Sequence, residues 1–448
     1  MPQASTALQT HVAPRRLLGT WAATAMVITE VVGVGIFLTP ATMMRTLGSL
    51  GAALMIWAAM GALSAAGALC YAELSTRFPR AGGGYVFLRE AYGPRCAFLY
   101  GWMALLVVDP GLAAALGIGL SRYLLATFDG SPLLLTPVSL ACVVGFGLLT
   151  LQGVRVSARV MRWTAAAKLA IVATLVVAGL RRGLAGSGRV LVESGVPAAA
   201  IGPGALATSV VAAFFAFGGW WELGRMSEEV ESPRRTMPRA LIGGVAIVAG
   251  IYALVSVAFV LATPGPAAAT DEAFVSLVGA ALFGEAAGRL LAAMVAMAVG
   301  GSLAAVLLGA PRVYLAMARD GLFPGRLARF DVSRGAAPGG TLVQVSLASL
   351  LIVLGSFDDI LAYFVPSAVF FLGLSAAAVI VLPRPGEAEA VFRAPAHPLP
   401  ILLFLVLIVS ILALFVFGQP RQTLLGAAVV LLGIPVAWIV VPRRPQRS

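Results

Sequence analysis

Residues 16–46 read RLLGTWAATAMVITEVVGVGIFLTPATMMRT, an apolar run long enough to cross a bilayer, with Gly33-Val34-Gly35 at its middle and Thr39-Pro40 beyond. Residues 204–229 read GALATSVVAAFFAFGGWWELGRMSEE, with Gly218-Gly219 again in mid-run. Glycine costs about 1 kcal/mol against alanine inside a helix, so a pair of glycines invites local unwinding. Close helix packing is the other use of glycine in membranes. Two such pairs five helices apart, each beside intramembrane charges, favour unwinding. They predict an inverted repeat of five helices plus five, with two helices added, in which the broken first and sixth helices meet near the midplane. Freed amides at half-helix N-termini would bind a carboxylate, and freed carbonyls would face an ammonium or a cation.

The rest of the chain fits a lipid solvent. It has 448 residues, 60% hydrophobic and 11% charged, with a mean hydropathy of +0.96. A water-soluble domain of this size cannot hide so much apolar surface. The runs 48–71, 97–120, 163–180, 238–262, 341–357 and 398–418 each approach or exceed the roughly 20 residues that span the hydrocarbon. They are continuously apolar rather than alternating, so helices and not barrel strands satisfy the backbone. Twelve helices are expected, at about 16–46, 48–76, 84–125, 136–153, 158–181, 204–229, 238–263, 274–319, 339–355, 358–382, 398–418 and 422–441. The two longest imply residues outside the hydrocarbon or short flanking helices. No soluble domain fits in the linkers, so 16–441 is expected to be one transmembrane domain: repeat one at 16–181, repeat two at 204–382, the added pair at 398–441, and tails at 1–15 and 442–448.

A net charge of +12 would ordinarily raise nucleic acid as a partner, but its distribution argues otherwise. Arginines cluster at 15–16, 77–95, 155–162, 234–239, 319–334, 384–393 and 443–447, while the intervening loops carry Asp129, Glu193, Asp271, Glu272, Asp358 and Asp359. Basic loops stay cytoplasmic during insertion. Every second loop and both termini are therefore expected on the cytoplasmic side of the cell (inner) membrane, which requires an even number of spans. Cys70, Cys96 and Cys142 have no framework or metal spacing, and the first apolar run is a span rather than a cleaved signal.

The motifs resemble those of the amino acid–polyamine–organocation superfamily. Gly33-Val34-Gly35-Ile36-Phe37 is similar to its first-helix signature, usually Gly-Ser-Gly-Ile-Phe. Phe214 through Phe217-Gly218-Gly219-Trp220 to Glu228-Glu229, then Pro233-Arg234 and Met237-Pro238-Arg239-Ala240, resembles its sixth helix and the loop after it. Further matches are Pro79-Arg80-Ala81-Gly82-Gly83-Gly84-Tyr85, Ala316-Met317-Ala318-Arg319-Asp320-Gly321 and Arg393-Ala394-Pro395. The branch most similar is that of the L-amino-acid transporters. The resemblance implies an all-α LeuT-like fold, alternating access, and an amino acid held at the two breaks by its backbone groups. The light chains of that branch are tethered to a partner through a cysteine between helices three and four. The loop at 126–136 has none, so no disulfide-linked heavy chain is expected. Val34 stands where a serine is usual, and Trp221-Glu222-Leu223-Gly224 where small or neutral polar residues are; both departures fall where specificity would be read.

An ionisable group at the bilayer centre costs about 2.5–3.5 kcal/mol on insertion scales, and persists mainly when it does something. Glu30, Asp109, Lys168 and Glu222 lie at such depths, with Arg225 near one end. Lys168 is the chain's only lysine. A desolvated lysine can lose its proton where arginine cannot. By the resemblance, the fifth helix carries a lysine near the place a sodium ion holds in sodium-coupled relatives. The alternative is a lysine snorkelling to the interface. Glu30 is expected to bind an ammonium, carry a proton or pair with Lys168, and Glu222 to be its match in the second repeat, while Asp109 before Pro110 reads as structural. The expected substrate-binding set is Thr29, Glu30, Gly33, Val34, Gly35, Ile36, Phe217, Gly218, Gly219, Trp220 and Glu222. Lys168 and Glu30 are the coupling pair, and Phe217 and Trp220 an aromatic gate or simply filling.

An enzyme would need a catalytic constellation, and His11 and His397 lie far from any cysteine or carboxylate cluster. No P-loop, zinc motif or nucleophile elbow is present, so no cofactor or metal is expected. No segment reads as a channel filter, and no output domain for a sensor fits. The reading is a secondary transporter of amino acids, neutral L-amino acids first and cationic amino acids or polyamines second, with protons the candidate coupling ion.

Overall fold

The computed structural model describes residues 18–33, 35–80, 82–152, 154–184, 201–262, 279–280, 283–325, 329, 331, 337–383 and 392–441. Val34, both tails and the start of the expected eighth helix lie outside the described residues. Within them the chain is helical: α1 (Thr20–Val31), α2 (Gly35–Leu47), α3 (Leu50–Arg77), α4 (Gly84–Tyr92), α5 (Pro94–Met103), α6 (Asp109–Thr127), α7 (Leu135–Leu151), α8 (Val154–Leu184), α9 (Pro203–Phe217), α10 (Pro233–Ala262), α11 (Glu285–Gly309), α12 (Pro311–Arg319), α13 (Pro338–Leu354), α14 (Phe357–Val381), α15 (Leu399–Gly418) and α16 (Pro420–Val440). A five-residue π turn, Ala104–Val108, joins α5 to α6, and a tight 3₁₀ stretch, Trp220–Glu229, follows α9.

Local chemistry sets these boundaries. Proline occupies the first turn of α5, α9, α12, α13 and α16, where its missing N–H has no partner to lose. Ser49 caps α3, and Ser356 with Asp359 forms a reciprocal capping box on α14. Among the described residues nine helical runs are long and apolar enough to cross a membrane, ten with the bent pair α1–α2. Two further helices lie beside them among the described residues, the 31-residue α8 and the shorter apolar α13 of 17 residues. Outward-facing Leu402, Val406, Val409 and Phe417 on α15 and Leu424, Leu431, Leu432 and Ile439 on α16 are exposed, a surface that only lipid solvates.

Two expected helices are interrupted within their apolar runs. The run 84–125 is cut at Gly93-Pro94, leaving α4 as a separate nine-residue amphipathic helix before the third span. In the eighth span only Ala310 interrupts the helix between Gly309 and Pro311, and the apolar run continues into α12 as far as Ala318. Hydropathy does not register the break at Gly93-Pro94. α4 is pinned from both sides. The Gly82 amide donates to the Arg225 carbonyl at 3.3 Å, and Tyr85 and Arg89 both reach the Asp320 carboxylate after α12. Burial and that carboxylate push the Tyr85 phenol up, so it remains a donor.

The packing has the pairing that a two-fold axis in the membrane plane requires. Counterparts of the two repeats touch across the centre: α2 against α9, α3 against α10, α6 against α11 and α7 against α13. This is the LeuT-like arrangement, with α15 and α16 added against α14.

Candidate site at the two helix breaks

The first span breaks because α1 stops at Val31 and α2 restarts at Gly35, with a 40° bend between them. The sixth breaks at Gly218-Gly219, where Gly219 has φ +114°, a backbone state open essentially only to glycine. The breaks meet directly. A Cβ on Gly35 would sit on the backbone of Ala216, and a Cβ on Gly219 would lie 3.0 Å from the Glu30 carbonyl. Thr39 adds a bond from its hydroxyl to the Ala212 carbonyl, 3.1 Å. The glycines therefore unwind the helix and let the two backbones touch, so the two uses of glycine coincide here.

Unwinding frees carbonyls that must find donors. Tyr252 of α10 supplies one: its hydroxyl lies 2.8 Å from the Val31 carbonyl and 2.7 Å from that of Ala216. The ring is fully buried and packs edge-on against Trp57 and Phe217, centroids 5.3 and 5.0 Å away. This residue ties both half-helices together, and no motif marked it. The available signal was a lone phenol in the apolar run 238–262, because a buried hydroxyl needs a partner.

Lys168 is 2% exposed, which excludes snorkelling to the interface. Its ammonium donates to the Ser302 hydroxyl at 2.7 Å and to the Thr29 carbonyl at 3.3 Å. It thus joins α8 to α11 and to the last turn before the first break. Ser302 faces Gly33 from the other side; a Cβ on Gly33 would be 3.6 Å from its Oγ. The Thr29 side chain itself turns back to the Ala25 carbonyl at 2.7 Å, so Thr29 contributes backbone here. Glu30 lies between the fields of Lys168 and Arg225.

Glu222 forms an ion pair with Arg225, 2.9 Å apart. Arg225 also bonds Tyr100 and faces Asp109, and Asp109 accepts from the Tyr314 hydroxyl at 2.5 Å. Glu222 is accordingly neutralised by a neighbour on its own turn rather than open to an ammonium. The remaining expected site residues pack. Ile36 is fully buried and Phe217 and Trp220 are 2% exposed. Trp220 lies edge-on to Tyr71 and fills the space that a side chain on Gly67 would need. In this conformation both aromatics are wall. Val34 lies outside the described residues. Among those residues no group of three metal-ligating side chains occurs.

Comparison with known proteins finds amino acid permeases similar to this chain. A family model described as "Amino acid permease" matches residues 18–440. The chain is 28% identical over 436 residues to a cystine/glutamate transporter of Pongo abelii, covering 93% of this chain and 83% of that one. It is 28% identical over 405 residues to the b(0,+)-type amino acid transporter 1 of Homo sapiens, covering 88% and 82%. A third relative is the large neutral amino acids transporter small subunit 2 of Mus musculus, 28% identical over 451 residues, covering 96% and 81%.

Proposed function

The chain belongs to the amino acid permease family, and from that premise we propose that it carries neutral L-amino acids across the cell (inner) membrane by alternating access, driven by protons or by exchange. The observation that carries the reading is the meeting of the two breaks at Gly35–Ala216 and Gly219–Glu30. There, backbone polar groups of two half-helices converge at one depth, which suits the ammonium and carboxylate common to all amino acids. Glu30, Gly33, Gly35, Gly218 and Gly219 line that meeting point. Lys168 holds α1 against α11 as a fixed or titrating cation, and Phe217 and Trp220 close the wall.

A second reading is favoured by charge. With Asp109 ionised, Glu30, Asp109 and Glu222 outnumber Lys168 and Arg225 by one around the breaks, an excess that would welcome a cationic amino acid or amine. The basic loops on one side support cytoplasmic termini. Cys70, Cys96 and Cys142 are free thiols, and a loop without cysteine between α6 and α7 supports a transporter that works without a disulfide-linked heavy chain. Its relatives are named as transporters, which supports transport rather than catalysis as the activity.

The test is a thermal-shift screen of the purified protein against all amino acids and common polyamines, followed by uptake into proteoliposomes. Stabilisation by none of them in a folded preparation would refute the amino-acid reading. Stabilisation by lysine, arginine or polyamines alone would select the second reading. Normal uptake by Lys168→Arg with an unchanged pH profile would rule out titration at Lys168.

A further inference from the structure

The ionisable groups gathered round the breaks do not balance. Three carboxylates, Glu30, Asp109 and Glu222, share two cations. Arg225 is held by Glu222 at 2.9 Å, and Lys168 faces Glu30. Asp109, at 3% exposure, makes no ion pair among the described residues. A buried carboxylate whose facing cation is already paired is costly and takes up a proton instead.

One acceptor at the same place lacks a donor as well. Asp109 begins α6 directly after the π turn, and Pro110 has no amide hydrogen for the Leu106 carbonyl four residues back; the Tyr363 hydroxyl reaches that carbonyl from α14 at 3.3 Å. Around Asp109 the donors are the Tyr314 hydroxyl, 2.5 Å from Oδ2, and the Gln344 amide nitrogen, 3.4 Å from the Asp109 carbonyl. Beside them the Gln344 Oε1 is buried without any donor. Gln344 and Tyr314 are fully buried. One hydrogen on the carboxylate would remove the surplus charge and add a donor beside an acceptor that has none. Such π turns recur at working sites in membrane and soluble helices alike.

We propose that Asp109 is the binding site for the transported proton, in competition with Arg225. With the proton on Asp109, Arg225 stays on Glu222. When the proton leaves to the opposite side, the bared carboxylate draws the guanidinium, whose Nε is buried without an acceptor. Arg225 sits beyond the second break, and its carbonyl accepts from Gly82 before α4, so its shift moves the segment that the first break rests on. The charged and titratable groups around Asp109 are Arg225 and Glu222 after α9, Tyr100 on α5, Tyr314 on α12, Tyr363 on α14, and Glu30 on α1 one step further. The proposal rests on the proton-driven form of the transport reading and gives the proton to a residue outside the substrate set.

The experiment uses full-length protein in proteoliposomes with an internal pH dye, and labelled L-leucine or L-arginine, whichever stabilises the wild type more. Asp109→Asn imitates the protonated acid. It is expected to melt near the wild-type temperature and exchange substrate at a comparable rate, while gradient-driven accumulation and the accompanying proton signal fall about tenfold or more, the effect of about 1.4 kcal/mol of lost coupling. Tyr314→Phe is expected to displace the pH midpoint of uptake with substrate affinity unchanged, which a merely structural tyrosine would not do. If Asp109→Asn does not fold, Asp109→Glu carries the test, with coupling retained at a displaced midpoint. Accumulation by Asp109→Asn that follows the proton gradient as in wild type overturns the proposal and leaves the transport reading standing. A wild type that exchanges substrate with no proton signal overturns the proposal together with proton drive. A wild type that moves no amino acid or polyamine of the thermal-shift screen refutes the transport reading itself.

Discussion

Tyr252→Phe removes one oxygen from the centre of the molecule and nothing else. The ring stays packed on Trp57 and Phe217, so no cavity opens. The lost hydroxyl carries a single proton between two carbonyls. That of Val31 keeps a second donor in the Gly33 amide at 2.7 Å, but Ala216, in the last turn of α9 before the break, loses the donor that reached it at 2.7 Å. One buried carbonyl left unsatisfied costs about 1–3 kcal/mol. If the hydroxyl ties the half-helices only in this conformation, the same energy shifts the balance between inward- and outward-facing states by about 5–150-fold. Thermal melting in detergent reads the first effect. Accessibility of single cysteines placed at the two mouths of a Cys70, Cys96 and Cys142-free background reads the second. Melting, accessibility and transport all unchanged in Tyr252→Phe would show that the freed carbonyls do not depend on this tyrosine, and the account of how the breaks are held would fail.

Gly35→Ala puts a methyl group onto the Ala216 backbone, and overpacking of this kind costs about 1–3 kcal/mol; uptake and melting temperature should both drop, and wild-type values for both would refute direct contact of the breaks. Gly219→Ala adds left-handed backbone strain of about 1–2 kcal/mol to a 3.0 Å approach to Glu30, so it should be at least as damaging in the same assays. Lys168→Ala leaves the Thr29 carbonyl and Ser302 without their donor. It should abolish uptake while a substrate still stabilises the protein, and uptake within twofold of wild type would remove Lys168 from the mechanism. Arg89→Ala breaks an exposed pair with Asp320, worth about 1 kcal/mol or less, and a loss of stability well beyond that on denaturation would mean that α4 is held mainly by this pair.

Some of this protein is determined by local composition. Lipid demands runs of some twenty apolar residues, and glycine pairs weaken a helix wherever they fall, so the apolar runs, the two breaks and the place of the candidate site could be read along the chain. Gly33, Gly35, Gly218 and Gly219 were legible for that reason, and so was Lys168 as the only lysine in an arginine-rich sequence. The turn at Gly93-Pro94 that frees α4 was present in the residues, yet hydropathy carries no direction and gave one long helix.

Partnership is what only the tertiary structure decided. Glu222 could equally have faced a substrate; three residues on, Arg225 takes it instead. Asp109 read as structural until the fold set it beside Tyr314, 205 residues away, and beside Gln344, 235 residues away. Tyr252 reaches Val31 across 221 residues. A charge or hydroxyl buried in lipid must be satisfied, and the sequence states that need plainly. Which group satisfies it depends on helix pairs brought together from opposite ends of the chain, and no local pattern encodes that meeting.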